Sequence, residues 1–329
     1  MRKFTEIAPY FHPTTIVAVD DNQRFLESIA VGLPDDIRFF AFLSAEEALE
    51  QINQPHPSMS LADRCFTKHG MTVNLDLNVI EQEIKHIDRF ERVSVVLVDY
   101  AMPTMNGLEF CARVNDPDVK RILLTGVADE KTAVHAFNEG LIDLYLPKKD
   151  LNSYEGVIPY IESLQEAYFQ QYLPRLTRAL DLEPPSFMSD AVFREYFLDL
   201  VATHKIVEYY FVPNPMGFLM LQADGTVYQL IVRNDQAEQI KLMQRYQAPA
   251  QLIQDVADDF LFLILLEHPD DYGNEAFPWT ENLVPCERVS GRENWVCGLV
   301  QNPPTDIDFD HTTTNYANFL NTASVRNRF

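Results

Sequence analysis

The chain has 329 residues, 47% of them hydrophobic and 23% charged, and 49 Asp and Glu outweigh 26 Lys and Arg to leave a net charge of -23. That composition supplies core material for two domains and excludes a bare polyanion as the main partner, because nucleic-acid binding draws on clustered cations to release counterions. Cys65, Cys111, Cys286 and Cys297 show neither CxxC spacing nor framework density, so they read as reduced thiols and no zinc site is expected.

The amino-terminal stretch MRKFTEIAPYFHPTT has no apolar h-region. The longest apolar run, FLFLILL at 260–266, is too short to span a bilayer, so no membrane contact and a cytoplasmic location are expected. The first structural signal is TIVAVDD (15–21), an aliphatic run that ends in Asp20 and Asp21. A second run of the same kind, VSVVLVD (93–99), ends in Asp99 and leads into the Pro/Gly-punctuated loop YAMPTMNG. Runs without polar alternation are what central parallel strands look like when helices cover both faces of a sheet. Two more follow, RILLTG (121–126) and LIDLYLPK (141–148). Between them DEKTAVHAFNEG has apolar residues at helical spacing, with Gly140 as the helix stop. The pattern is a repeated βαβ unit, hence an α/β doubly wound sheet. Ligands bind such sheets beyond the carboxyl ends of the strands, which brings Asp20, Asp21, Asp99, Thr125 and Lys148 to one crevice.

Farther along, Ile158, Ile161, Leu164, Tyr168, Tyr172, Leu176 and Leu180 form a stripe at periods of three and four, which predicts a long amphipathic helix with Pro174 as a kink point. The Pro-Pro stretch EPPSFMSD (183–190) ends it and prepares a cap for the next helix, over 190–204. Strands are then expected at KIVEYYFV, GFLMLQ and TVYQLIVR, the last two joined by a hairpin at Asp224-Gly225. Helices over 235–247 and 249–266 and one strand at NWVCGLV complete an α+β unit with a small antiparallel sheet.

Two like charges about 4 Å apart repel by roughly 4 kcal/mol at an effective dielectric near 20, so three carboxylates in one crevice require a cation or a proton. Oxygen ligands without His or Cys point to Mg²⁺. A magnesium ion, a lysine ammonium and a threonine hydroxyl together cradle a phosphoryl group, and Asp99 stands where a carboxylate nucleophile would become an acyl phosphate.

The set VDDN (19–22), DYAMPTMNG (99–107), LLTGVADE (123–130) and AFNEGLIDLYLPK (136–148) resembles the flavodoxin-like, CheY-like receiver domain of bacterial two-component response regulators. The resemblance implies a five-stranded parallel sheet in which Asp99 accepts a phosphoryl group from a sensor histidine kinase. It implies that Asp21, Asp99 and the main-chain carbonyl of Ala101 ligate Mg²⁺ directly and that Asp20 holds metal-bound water. Lys148 would pair with the phosphoryl oxygens, Thr125 would be the switch hydroxyl, and Tyr145 the aromatic that moves with it. Two departures stand out. Receivers usually carry proline after the lysine, whereas here Pro147 precedes Lys148 and Lys149 follows it. Asp21 and Asp99 lie 78 residues apart, about thirty more than a plain receiver needs. The excess falls at about 54–90, whose second half has helical spacing at Leu77, Ile80, Ile84 and Ile87. With the linker helix and the carboxy-terminal half, this insertion gives the chain a likeness to the Legionella quorum-sensing response regulator type.

The expected division is therefore a receiver over 1–152, a linker helix over 153–183 and an output domain over 184–329. A phosphatase of haloacid-dehalogenase type is the rival for the Asp99 site, but it wants a second aspartate two residues on, where Ala101 stands. LLEHPDD (265–271) has a superficial likeness to the metal-binding opening of zinc-dependent N-deacetylases and is expected to be loop, since no later His pair supplies further ligands. Residues 181–329 hold 9 Lys and Arg against 22 Asp and Glu, a net of -13, so no DNA contact is expected. The expected function is a phosphorylation-activated regulator that acts by homodimerisation through the receiver face and by protein or small-ligand contacts. It would be no enzyme beyond slow loss of its own phosphoryl group; the alternative is an output domain that binds a nucleotide or performs receiver-gated chemistry.

Overall fold

The computed structural model describes residues 6–34, 37–54, 66–69, 72–75, 83–126, 130–148, 154–172, 185–213, 215–264, 278–303 and 313–322. A two-residue strand, β1 (Tyr10–Phe11), precedes the first aliphatic run, which forms β2 (Thr15–Val19). Next come α1 (Gln23–Gly32), β3 (Arg38–Phe42) and α2 (Ala45–Ile52). Side chains of Asn22 and Ser44 accept the free amides of Phe25 and Glu47 and so fix where the two helices begin. A hairpin of β4 (Phe66–His69) and β5 (Thr72–Leu75) lies in the insertion, followed by helical turns at Glu83–Lys85 and Ile87–Glu91. The second run forms β6 (Val93–Asp99), then come α3 (Gly107–Arg113), β7 (Lys120–Thr125), α4 (Glu130–Asn138) and β8 (Leu144–Pro147).

Five of these strands make a parallel sheet in the order β3-β2-β6-β7-β8. Its two faces are built by alternate residues of the same runs. Val17, Val19, Val96, Val98 and Leu123 meet α2, α3 and α4, while Ile16, Ala18, Val95, Leu97 and Ile122 meet α1 and the start of the linker helix. Each fully buried aliphatic side chain contributes about 1.5–3 kcal/mol, which is why the two acid-ended runs are aliphatic through their middles, Ile16 to Val19 and Val95 to Val98.

The linker helix α5 (Ile158–Gln170) divides its stripe between the two halves of the chain. Ile161 packs on the parallel sheet, whereas Tyr168, Phe169 and Tyr172 pack with Tyr10, Tyr210, Val212 and Leu219 of the second sheet. Pro174, Leu176 and Leu180 lie outside the described residues.

The carboxy-terminal half follows as α6 (Ala191–Thr203), β9 (Ile206–Pro213), β10 (Met216–Gln222), β11 (Val227–Arg233), α7 (Ala237–Arg245) and α8 (Ala250–Ala257). It closes with β12 (Leu261–Leu263), β13 (Leu283–Ser290), β14 (Asn294–Gln301) and α9 (Tyr316–Thr322). The antiparallel sheet runs β1-β9-β10-β11-β14-β13-β12, three strands more than the sequence pattern predicts. One is β1, from the segment counted with the receiver, whose Tyr10 pairs with Tyr210. Another is β12, within the expected 249–266 helix: that helix stops at Ala257, and Asp259 takes a left-handed φ of 55° that turns the chain into a strand. The third, β13, was hidden by Pro285 and by Glu287 and Arg288, residues that suit a strand near a sheet margin.

In the insertion, Ile84 and Ile87 do fall on helical turns, and Ile84 is buried against the second sheet. Leu77 and Ile80, like the LLEHPDD stretch at 265–271, lie outside the described residues. No helix among the described residues is long and apolar enough to cross a membrane.

Candidate functional site

The carboxyl ends of the parallel strands converge on an acidic pocket. Asp20 follows β2 and is fully buried, Asp21 beside it is exposed, and Asp99 at the end of β6 is 5% exposed. Carboxylate oxygens of the three lie within 4.8 Å of one another. Lys148, the residue after β8, sets its Nζ 2.7 Å from Asp20 Oδ2 and 2.8 Å from Asp99 Oδ1. The ring of Phe25 on α1 lies 4.8 Å from the same ammonium.

Electrostatics explain the arrangement. Burial raises the Asp20 carboxyl above its ordinary range, against the hydrogen bonds from Lys148 and from the Asn22 amide at 2.9 Å. Burial works against the charge on Lys148 as well, yet its bonds to Asp20 and Asp99 prevail and raise it. The ammonium thus holds two carboxylates that would otherwise repel, and it keeps a third N–H to offer.

Thr125 ends β7, the strand between those of Asp99 and Lys148; it is buried and pairs with Pro147. Tyr145 lies on β8 opposite Leu123, half-buried at the edge of the α2–α3–α4 core. Ala101 is exposed on the loop after Asp99. That loop is pinned at both ends, by Tyr100 N–H on Leu124 O at 2.9 Å and by Gly107 N–H on Tyr100 O at 3.0 Å. The structure therefore brings Asp20, Asp21, Asp99 and Lys148 into direct proximity. It places Thr125 and Ala101 on the strand end and loop that border them, and Tyr145 two residues before the end of β8.

Sequence reasoning missed the supports. Asn106 caps α3 through a capping box with Glu109, and Gly107 comes so close to Asp99 that no side chain fits. The signal was in the string NGLE, a capping residue followed three positions on by Glu. Phe25 carried no signal, since an aromatic on the first turn of a helix has many uses.

A fully oxygen-lined cluster of three carboxylates suits a hard divalent cation of the Mg²⁺ kind, and the Lys148 ammonium already occupies part of the same negative field. A parallel five-stranded sheet bearing this pocket is the architecture of a receiver. The family model for the response regulator receiver domain matches residues 58–153. Asp20 and Asp21 precede that match, and the fold supplies them to the pocket from β2. The structure of the Legionella pneumophila response regulator LqsR is similar to the chain at 33% identity, covers 96% of both chains and has a TM-score of 0.79. Receiver-domain structures from Clostridium thermocellum and Methanospirillum hungatei JF-1 are similar over 47% of this chain and 95% and 96% of their own, at 20% and 19% identity, each with a TM-score of 0.33. No curated protein matches the chain. The chain belongs to the receiver-bearing response regulators, and its likeness to the Legionella regulator extends through the carboxy-terminal half.

Proposed function

We propose that the chain is a phosphorylation-activated response regulator in which Asp99 takes a phosphoryl group from a sensor histidine kinase. The observation that carries this reading is the Lys148 ammonium shared between Asp20 and Asp99 within the three-carboxylate cluster. An Asp99 oxygen attacks phosphorus, the new O–P bond forms as the P–N bond of the phosphohistidine breaks, and the electron pair stays on the imidazole nitrogen. Lys148 turns its third N–H to a phosphoryl oxygen. Asp21, Asp99 and the Ala101 carbonyl would hold Mg²⁺, with Asp20 holding one of its waters; when bound, the ion neutralises charge on the phosphoryl oxygens. Thr125 then donates to the phosphoryl group, a bond to a charged acceptor worth about 1.5–3 kcal/mol, and Tyr145 follows it.

The response leads to a homodimer through the receiver face of α4, β8 and the start of α5. Val134 and Phe137 on α4 are 39% and 48% exposed, which supports that choice. The output half works by contact and not by chemistry. Its cavity of about 290 Å³ is lined by Tyr196, Asp199, His204, Glu287 and Cys297. Burial pushes the Cys297 thiol up to about 12, which leaves it protonated and a poor nucleophile. On α6, Val192 and Leu198 stand 46% and 43% exposed and offer apolar area to a protein partner. The net charge of -13 over 181–329 supports a target other than DNA. A cytoplasmic place and a quorum-sensing input belong to the same reading, the latter by analogy with the Legionella regulator. Phosphorylation of the full chain by acetyl phosphate with Mg²⁺, read by intact mass, tests it.

A further inference from the structure

Arg89 and Glu208 are 119 residues apart, and both side chains are wholly buried. They meet as a fork: Arg89 Nε donates to Oε2 at 2.9 Å and Nη2 to Oε1 at 2.8 Å. Nη1 donates to the carbonyls of Ile84 at 2.9 Å and His86 at 3.0 Å, and Nη2 also to that of Thr314 at 2.9 Å. All five N–H groups of the guanidinium are used. The Tyr210 hydroxyl donates to Glu208 Oε2 at 2.7 Å and completes the carboxylate's shell.

Three distant segments meet at this point: the end of the insertion, β9 of the antiparallel sheet, and the stretch before α9. Phe90 packs on α9 itself, with its ring 4.9 Å from Tyr316 and 5.1 Å from Phe319. In the other direction the turn Ile87–Glu91 runs straight into β6. The Thr15 amide bonds to Arg92 O at 2.8 Å and the Thr15 hydroxyl to Phe90 O at 3.1 Å, so this junction is held to β2. One unbroken stretch therefore leads from the buried pair through β6 to Asp99. Apolar side chains of the same volume would stabilise the junction at least as well, because desolvating two charges offsets their attraction. What a forked, fully satisfied pair adds is a single allowed geometry between the parts that it joins.

We propose that the Arg89–Glu208 pair is the coupling through which a change at Asp99 reaches the output sheet, with residues 83–91 as the transmitting segment and α5 as a second tether. This rests on Asp99 being the phosphoacceptor. The pair makes displacement of β6 and displacement of β9 one event, since neither residue can move alone without leaving a buried charge unpaired.

Hydrogen exchange of the full chain with Mg²⁺, with and without beryllofluoride, tests the proposal. In the unaltered protein the mimic changes exchange both in residues 99–126 and in β9. In the triple variant Arg89→Met/Glu208→Leu/Tyr210→Phe, which removes the charges together, the response in 99–126 remains and that in β9 falls at least about fivefold. The milder Arg89→Lys keeps the charge but not the fork, and it halves the β9 response or better. A β9 response of unaltered size in either variant overturns the coupling, as does a silent β9 in the unaltered protein whose 99–126 region responds. No response in 99–126 of the unaltered protein defeats the phosphoacceptor reading itself, and the coupling with it.

Discussion

A Cβ on Gly107 would fall 2.5 Å from the carbonyl oxygen of Asp99 and 2.7 Å from the Leu123 side chain, so the first residue of α3 is pressed against the end of β6. The backbone oxygen cannot yield without moving Asp99. Gly107→Ala should cost about 1–3 kcal/mol of stability, as overpacking does, and slow phosphorylation of Asp99 more than it weakens Mg²⁺ binding. Urea unfolding and the acetyl phosphate reaction rate measure the two effects separately.

Lys148→Ala should leave the divalent site in place. Asp20, Asp21 and Asp99 keep their positions and lose a competing cation. Calorimetric titration should show Mg²⁺ binding preserved or tightened, while beryllofluoride no longer changes the exchange or the association state of the chain.

Asp190 gives a pH dependence that has nothing to do with the pocket. It caps α6 through the amides of Val192 at 2.8 Å and Phe193 at 2.9 Å and takes a third amide, Arg292, at 2.8 Å. Burial raises its carboxyl, but those three amides and the nearby Arg292 charge outweigh it and hold the folded pKa below the ordinary value. The stabilisation is then complete above an unfolded pKa of about 3.9 and is lost as the pH falls through the folded value. Asp190→Asn should flatten stability below about pH 5, and Asp190→Ala should cost about 0.5–2 kcal/mol at pH 7. Thermal melts across pH 3 to 7 read both.

Phe137→Glu should weaken phosphorylation-dependent dimers about tenfold or more, because it puts charge in the centre of the proposed α4 face. The fold should hold, since the side chain is 48% exposed. Sedimentation with beryllofluoride measures it; a dimer of undiminished strength would move the interface elsewhere.

The parallel sheet was legible because each of its residues faces the same apolar surroundings: Ile16 through Val19 and Val95 through Val98 are buried on both faces and read as continuous runs. The acids were legible for the opposite reason, as charges at the ends of those runs. The second sheet was read only where its strands were central. β12 is three residues long, and β13 reads Cys286, Glu287, Arg288 and Val289 beside a proline, with no apolar–polar alternation, so neither carries a strong local signal. Most hidden was the junction of the two halves. Glu208 shares its side of β9 with Tyr210 and Val212, so period two already turned it inward, but only the fold shows that Arg89 stands opposite. The α5 stripe likewise predicted burial without saying that Ile161 and Tyr168 serve different sheets.

Intact-mass measurement after incubation with acetyl phosphate and Mg²⁺ decides whether Asp99 carries the phosphoryl group. One added phosphoryl group is expected, lost in hydroxylamine, mapping to Asp99 and absent from Asp99→Asn. Undiminished labelling of Asp99→Asn, or no labelling of the unaltered chain by acetyl phosphate or by any histidine kinase offered, would contradict it.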